Sequence, residues 1–158
     1  MKAILNYTTS IAVDKTTGEI TRILREHGAS RVTIDYDQQG NPSALAFWMG
    51  TARGDHEFRL PANIPGVWRA LTRQQQSGAI PPRLATKEQA ARVGWRIVKD
   101  WLEAQIAIIE AGMATVDEVL LPYLLAPSGR TVYEEFVAQR LALPERGSDG
   151  AATREGEG

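Results

Sequence analysis

The chain has 158 residues, of which 43% are hydrophobic and 23% charged, and its formal net charge is −1. This describes one soluble globular domain with room for a real core, not a collagen-like or mostly disordered chain. With no Cys, a disulfide scaffold and thiolate zinc sites are excluded, and a charge near zero argues against coating nucleic acid by bulk charge.

The N-terminal part reads as β-α-β-β-β. Ala3–Tyr7 starts a first strand that can extend to Val13. Thr16, Thr17, Gly18 and Glu19 fit a capping box, and Ile20, Ile23, Leu24 and His27 follow at helical spacing until Gly28. Val32, Ile34 and Tyr36 alternate with polar residues, as in a half-buried strand. A turn over Asp37–Pro42 leads to a strand carrying Leu45, Phe47 and Met49. Arg53-Gly54-Asp55 turns the chain again, and His56, Phe58 and Leu60 face inward on the next strand. Connections this short make the last three strands antiparallel.

From residue 63 the chain is helical. Asn63 caps a helix that holds Pro65 early and runs to about Gln76. A loop over 77–85 contains the Pro81-Pro82 pair. Thr86 to Gln89 make a second capping box and open one long helix, about 86–111, spanning about 39 Å. Its apolar face holds Ala90, Gly94, Ile97, Trp101, Ala104 and Ile108, widened by Trp95, Val98, Leu102 and Ile109. Glu88–Arg92 and Lys99–Glu103 are spaced as i,i+4 ion pairs. Thr115 caps a short helix that meets Pro122, and Thr131 caps a last helix to about Leu141. The fold class is therefore α+β, a single domain over 1–143 with a sheet part (1–62) and a helical part (63–143). Residues 144–158 read as a disordered tail.

The neutral total hides a polarised chain. Residues 1–49 have net charge 0, residues 50–99 net +6, and residues 100–158 net −7. The two charged segments either pair with each other or leave a basic surface free. In the second case Arg59, Arg69, Arg73, Arg83, Arg92, Arg96 and Lys99, with Trp95 beside Lys99, form a groove of cations and aromatic faces suited to single-stranded nucleic acid. Trp68 beside Arg69, and Trp48 on the sheet face of Arg31 and Arg59, add to the same pattern.

Catalytic signals are sparse. Asp55-His56-Glu57 has metal-ligand residue types, but strand alternation splits them between two faces. Asp35, Asp37, Asp55 and Glu57 can share the outer sheet face, a two-metal pattern, although outward carboxylates on such a sheet are normally just solvated. His27, at a helix end, is read as structural. There is no GxGxxG, Walker A or GxSxG motif, so the expectation is no enzyme, no metal and no cofactor. No signal peptide or apolar run of about 18 residues is visible, which points to the cytoplasm and away from membranes.

The run from Phe58 to Asn63, the run from Gln89 to Trp101, and Leu120-Leu121-Pro122-Tyr123 resemble small uncharacterised proteins of bacteriophages, prophages and bacterial mobile elements. The resemblance covers most of residues 3–140 and transfers no catalytic residue. It implies an accessory of DNA replication or recombination, or an inhibitor of a host system. The leading expectation is thus a non-enzymatic nucleic-acid-binding accessory protein for single-stranded DNA or RNA. The alternative is a protein-interaction module, a homo-oligomer or a binder of a host or phage protein, using the long helix and the acidic C-terminal part.

Overall fold

A computed structural model describes residues 1–139 of the chain. The fold is α+β. Helix α1 (Val13–Glu26) precedes strands β1 (Ala29–Tyr36), β2 (Pro42–Thr51) and β3 (Gly54–Arg59). Then come α2 (Ile64–Gln76), a 3-10 turn (Pro82–Leu84), α3 (Lys87–Glu110), α4 (Val116–Leu120), a second 3-10 turn (Leu121–Tyr123) and α5 (Val132–Ala138). The expected end of the last helix near Leu141, the domain limit at 143 and the tail 144–158 lie outside the described residues.

The three strands form the expected antiparallel meander, in the order β1-β2-β3. Alternation fixes the register. Val32 pairs with Phe47 and Ile34 with Leu45, while Phe47 pairs with Phe58 on the other side. The Phe47 and Phe58 rings stack with centroids 5.6 Å apart, and both are buried. The β1–β2 turn closes on Asp37, whose carboxylate accepts from the backbone N–H groups of Gln39 and Asn41. The free edge of β3 is partly covered, because Phe58 bridges to Leu124 and the Leu125 amide donates to the Glu57 carbonyl.

The N-terminus corrects the expected β-α-β-β-β order to α-β-β-β. Residues 1–12 form no strand. They lie as a strap across the helices, held by polar side chains from below. The Gln74 Oε1 accepts from the Ile4 amide at 3.0 Å, and Asn6 donates to Asp100 at 2.7 Å. The buried Gln89 amide donates to the carbonyls of both Tyr7 and Thr9 at 2.9 Å. Ala3, Ile4 and Tyr7 pack on a small core of Leu71, Ile80, Leu84 and Ala90. The helix that follows also starts one turn earlier than its apparent capping box. Thr16 and Thr17 are buried inside it, and the Thr17 hydroxyl donates back to the Val13 and Asp14 carbonyls.

The other caps form to different degrees. Asn63 accepts from the Gly66 amide, as expected at α2. At α3 only half of the box forms: Thr86 accepts from the Gln89 backbone amide, but Gln89 Oε1 accepts from Arg92 and its Nε2 holds the strap. At α5 the box is complete, with Thr131 and Glu134 exchanging both hydrogen bonds.

The main core joins the inner sheet face to α1 and α3 through Ile20, Leu24, Leu45, Phe47, Phe58, Trp95 and Leu102. On α3 the buried stripe is not the straight one expected. It follows Ala90, Gly94, Val98, Leu102 and Ile106, an i,i+4 row that winds around the helix, while Ala104 is exposed. The first turns of α3 therefore face α2 and the later turns face the sheet and α1. Gly94 lets α2 approach closely: a Cβ there would lie 2.5 Å from Ile64 Cδ1 and 3.3 Å from Val67 Cγ2. Gly94→Val is expected to destabilise by about 1–3 kcal/mol through overpacking, measured as a lower denaturant midpoint at unchanged slope.

The far ends of α1 and α3 meet at a histidine. His27 Nδ1 lies 2.7 Å from the Ile23 carbonyl and Nε2 lies 2.9 Å from a Glu110 carboxylate oxygen. Two acceptors suit the imidazolium, which donates from both nitrogens. The Ile23 carbonyl first, and Glu110 after it, raise the His27 pKa above its ordinary 6.5, against an opposing desolvation effect. The stabilisation is therefore fully present below the unfolded value and fades as pH rises through the folded one. Thermal midpoints taken between about pH 5.5 and pH 8.5 should fall across this window. Glu110→Gln should flatten that fall, whereas an unchanged profile would show that the pair contributes nothing.

Candidate nucleic-acid interface

The segment from Phe58 to Lys87 contains five basic residues, Arg59, Arg69, Arg73, Arg83 and Lys87, and no Asp or Glu. Helix α2 and the 3-10 turn after it lie within this segment. On α2, Leu71 and Gln74 are buried, which turns Arg69 and Arg73 to solvent, one turn apart. Leu84 anchors the 3-10 turn in the small core and leaves Arg83 exposed. Lys87 opens α3, and its ammonium lies 5.0 Å from the centroid of the Trp68 ring on α2. A cation–π contact at such an exposed site contributes about 0.5–1 kcal/mol. Trp68 remains 37% exposed, so part of the indole is open to a stacking partner.

None of Arg69, Arg73, Arg83 and Lys87 has an ion-pair partner among the described residues. Lys87 is the cation seated on the indole, while Arg69 and Arg73 lie roughly 100° and 140° around α2 from Trp68.

The remaining candidates do not join them. Trp95 is fully buried in the main core, so it presents no face to a base, and its candidacy is withdrawn. Its expected position at the rim of a straight stripe fails because the stripe winds and α1 packs over that side. Arg96 donates to Glu19 of α1 at 2.6 Å, with both side chains mostly shielded. This hydrogen bond holds the Glu19 carboxyl below the usual carboxylate range, against desolvation and with help from the charges of Arg96, Lys99 and Lys15. Lys99 forms the expected i,i+4 pair with Glu103 at 2.8 Å. Arg92 does not pair with Glu88. It donates through Nε and Nη2 to Gln89 Oε1, at 3.0 and 2.8 Å, and so braces the amide that holds the strap.

Arg59 ends β3, on the sheet. There it pairs across strands with Ala46 and donates to the Gly129 carbonyl at 3.3 Å. Trp48, on the same sheet face, is half-buried between Arg31 of β1 and Glu57 of β3. Sequence reasoning gave Lys87 only a place in a capping box. Its pairing with Trp68 depends on how α2 and α3 dock, which no spacing within either helix reveals.

Among the described residues no group of three His, Asp or Glu side chains is placed to hold a metal ion, and no helix is long and apolar enough to cross a membrane. Comparison with protein-family models, with curated proteins and with solved structures gives no match.

Proposed function

We propose that the protein is a non-enzymatic nucleic-acid-binding accessory of the phage or mobile-element kind, working in the cytoplasm and taking single-stranded DNA or RNA on α2. The observation that carries this reading is the stretch of α2 and the following 3-10 turn, which has no Asp or Glu, exposes Arg69, Arg73 and Arg83, and has Lys87 seated over the partly exposed Trp68. Phosphates would meet the guanidinium groups and a base would lie on the indole. If all four cations contact phosphates, the logarithm of the affinity for a single strand falls with the logarithm of salt concentration at a slope of about −2.8. Fluorescence titration of a labelled oligonucleotide at several salt concentrations tests this. No binding at about 50 mM salt, or binding indifferent to salt, refutes it.

A second reading, a protein-interaction module or homo-oligomer, has one observation in its favour. Leu121, Tyr133 and Val137 are 50%, 60% and 55% exposed, near one another on the second 3-10 turn and α5. On α3 the core takes up Val98, Leu102 and Ile106, while Ile97, Ile108 and Ile109 stay half-buried and Ala104 exposed, so only part of the expected apolar face is left for a partner. Light scattering after gel filtration separates the readings, because a strict monomer counts against the second and leaves the first intact.

A further inference from the structure

A cleft of about 250 Å3 opens between the β2–β3 hairpin and α4. One wall is the β2–β3 hairpin, with Arg53 in its turn and His56 and Phe58 on β3. The other is α4 and the 3-10 turn after it, with Asp117, Glu118 and Leu121, and Leu124 follows. Leu121 and Leu124 give the cleft apolar surface, and Phe58, itself buried, also lines it. One wall thus carries a guanidinium and an imidazole, and the other carries two carboxylates. Among the described residues no ion pair closes between them. Exposed opposite charges attract only weakly through water, so nothing draws the walls shut.

We propose that this cleft binds a free apolar α-amino acid. Three features select that class. The volume lies below the roughly 300–1,000 Å3 of pockets that hold drug-sized ligands, so the ligand is small. The apolar lining suits an aliphatic or aromatic side chain. The two signs of charge suit a zwitterion: its carboxylate meets Arg53, with His56 offering a ring N–H, and its ammonium meets Asp117 and Glu118. A plain carboxylate would face two like charges across the cleft, and a plain amine would face Arg53. The proposal is independent of nucleic-acid binding, which uses a different surface.

Calorimetric titration of the full chain with leucine tests it. Saturable binding with a Kd of about 1 mM or tighter is expected. N-acetyl-leucine and leucinamide, each lacking one charge, should bind about tenfold more weakly or worse, one lost charged contact being worth at least that factor. Arg53→Gln and Asp117→Asn should weaken leucine binding to a similar extent. Neither side chain makes an ion pair among the described residues, and circular dichroism checks that the fold is kept. No saturable binding of leucine, valine or phenylalanine at about 10 mM overturns the proposal. So does N-acetyl-leucine or leucinamide binding as well as leucine, a result that needs no variant protein.

Discussion

Replacing Arg69 and Arg73 together by Glu should weaken binding to a single-stranded oligonucleotide by about a hundredfold or more at low salt. A hydrogen bond to a charged group is worth about 1.5–3 kcal/mol, and each 1.4 kcal/mol is tenfold in affinity, so losing two such contacts already gives that factor. Reversing the charge adds repulsion against the phosphates. Arg69→Ala with Arg73→Ala is the gentler form. It should make the salt slope shallower by about 1.4, because each phosphate contact on a single strand contributes about 0.7. The control is Arg22→Ala with Arg25→Ala, which removes the same charge from the exposed face of α1. Equal losses in both double variants would show that only bulk charge matters, and the α2 site would be abandoned. Trp68→Ala should lower affinity by about 1–3 kcal/mol with the slope nearly unchanged, since stacking releases no counterions.

Trp95→Ala is expected to remove about 3–5 kcal/mol of folding stability. Small domains hold about 5–15 kcal/mol in total, so this variant would sit near the edge of folding. The indole is fully buried among α1, α3 and the sheet, and truncation leaves a cavity that the rigid strands cannot fill. Its Nε1 has no hydrogen-bond partner among the described residues. Trp95→Phe should therefore cost clearly less, because it deletes an unsatisfied donor together with part of the ring volume. Urea unfolding of the three proteins gives the ranking. If Trp95→Ala kept full stability and lost nucleic-acid binding instead, the core assignment would be wrong. Arg96→Ala belongs with this group and not with the α2 variants, since it leaves the mostly shielded Glu19 without its partner.

The sheet was legible because alternation is a two-residue code. Leu45, Phe47 and Met49 point inward whatever else the chain does, and the short turns allow one pairing order. Helix starts were legible where a Thr or Asn stood before an apolar-periodic run, as at Asn63, Thr86, Thr115 and Thr131. The same signal misled at Thr16, where hydroxyls inside a helix mimic a cap. The strap was not legible. Ile4 and Tyr7 are apolar enough for a strand, and nothing local announces that Gln74, Gln89 and Asp100 will hold that backbone. The candidate site divided for a related reason. A run of cations on one helix shows spacing, but whether Arg96 meets a phosphate or Glu19 is decided by a residue 77 positions away.

The strap also sets an order of events. Its hydrogen bonds join residues 70 to 94 positions apart, and every partner lies later in the chain. Loop closure over such distances gains nothing until α2 and α3 have packed against each other. The stretch that leaves the ribosome before any of these helices is thus the one that must wait longest to dock, and its amides should be among the first to exchange with solvent in the finished fold.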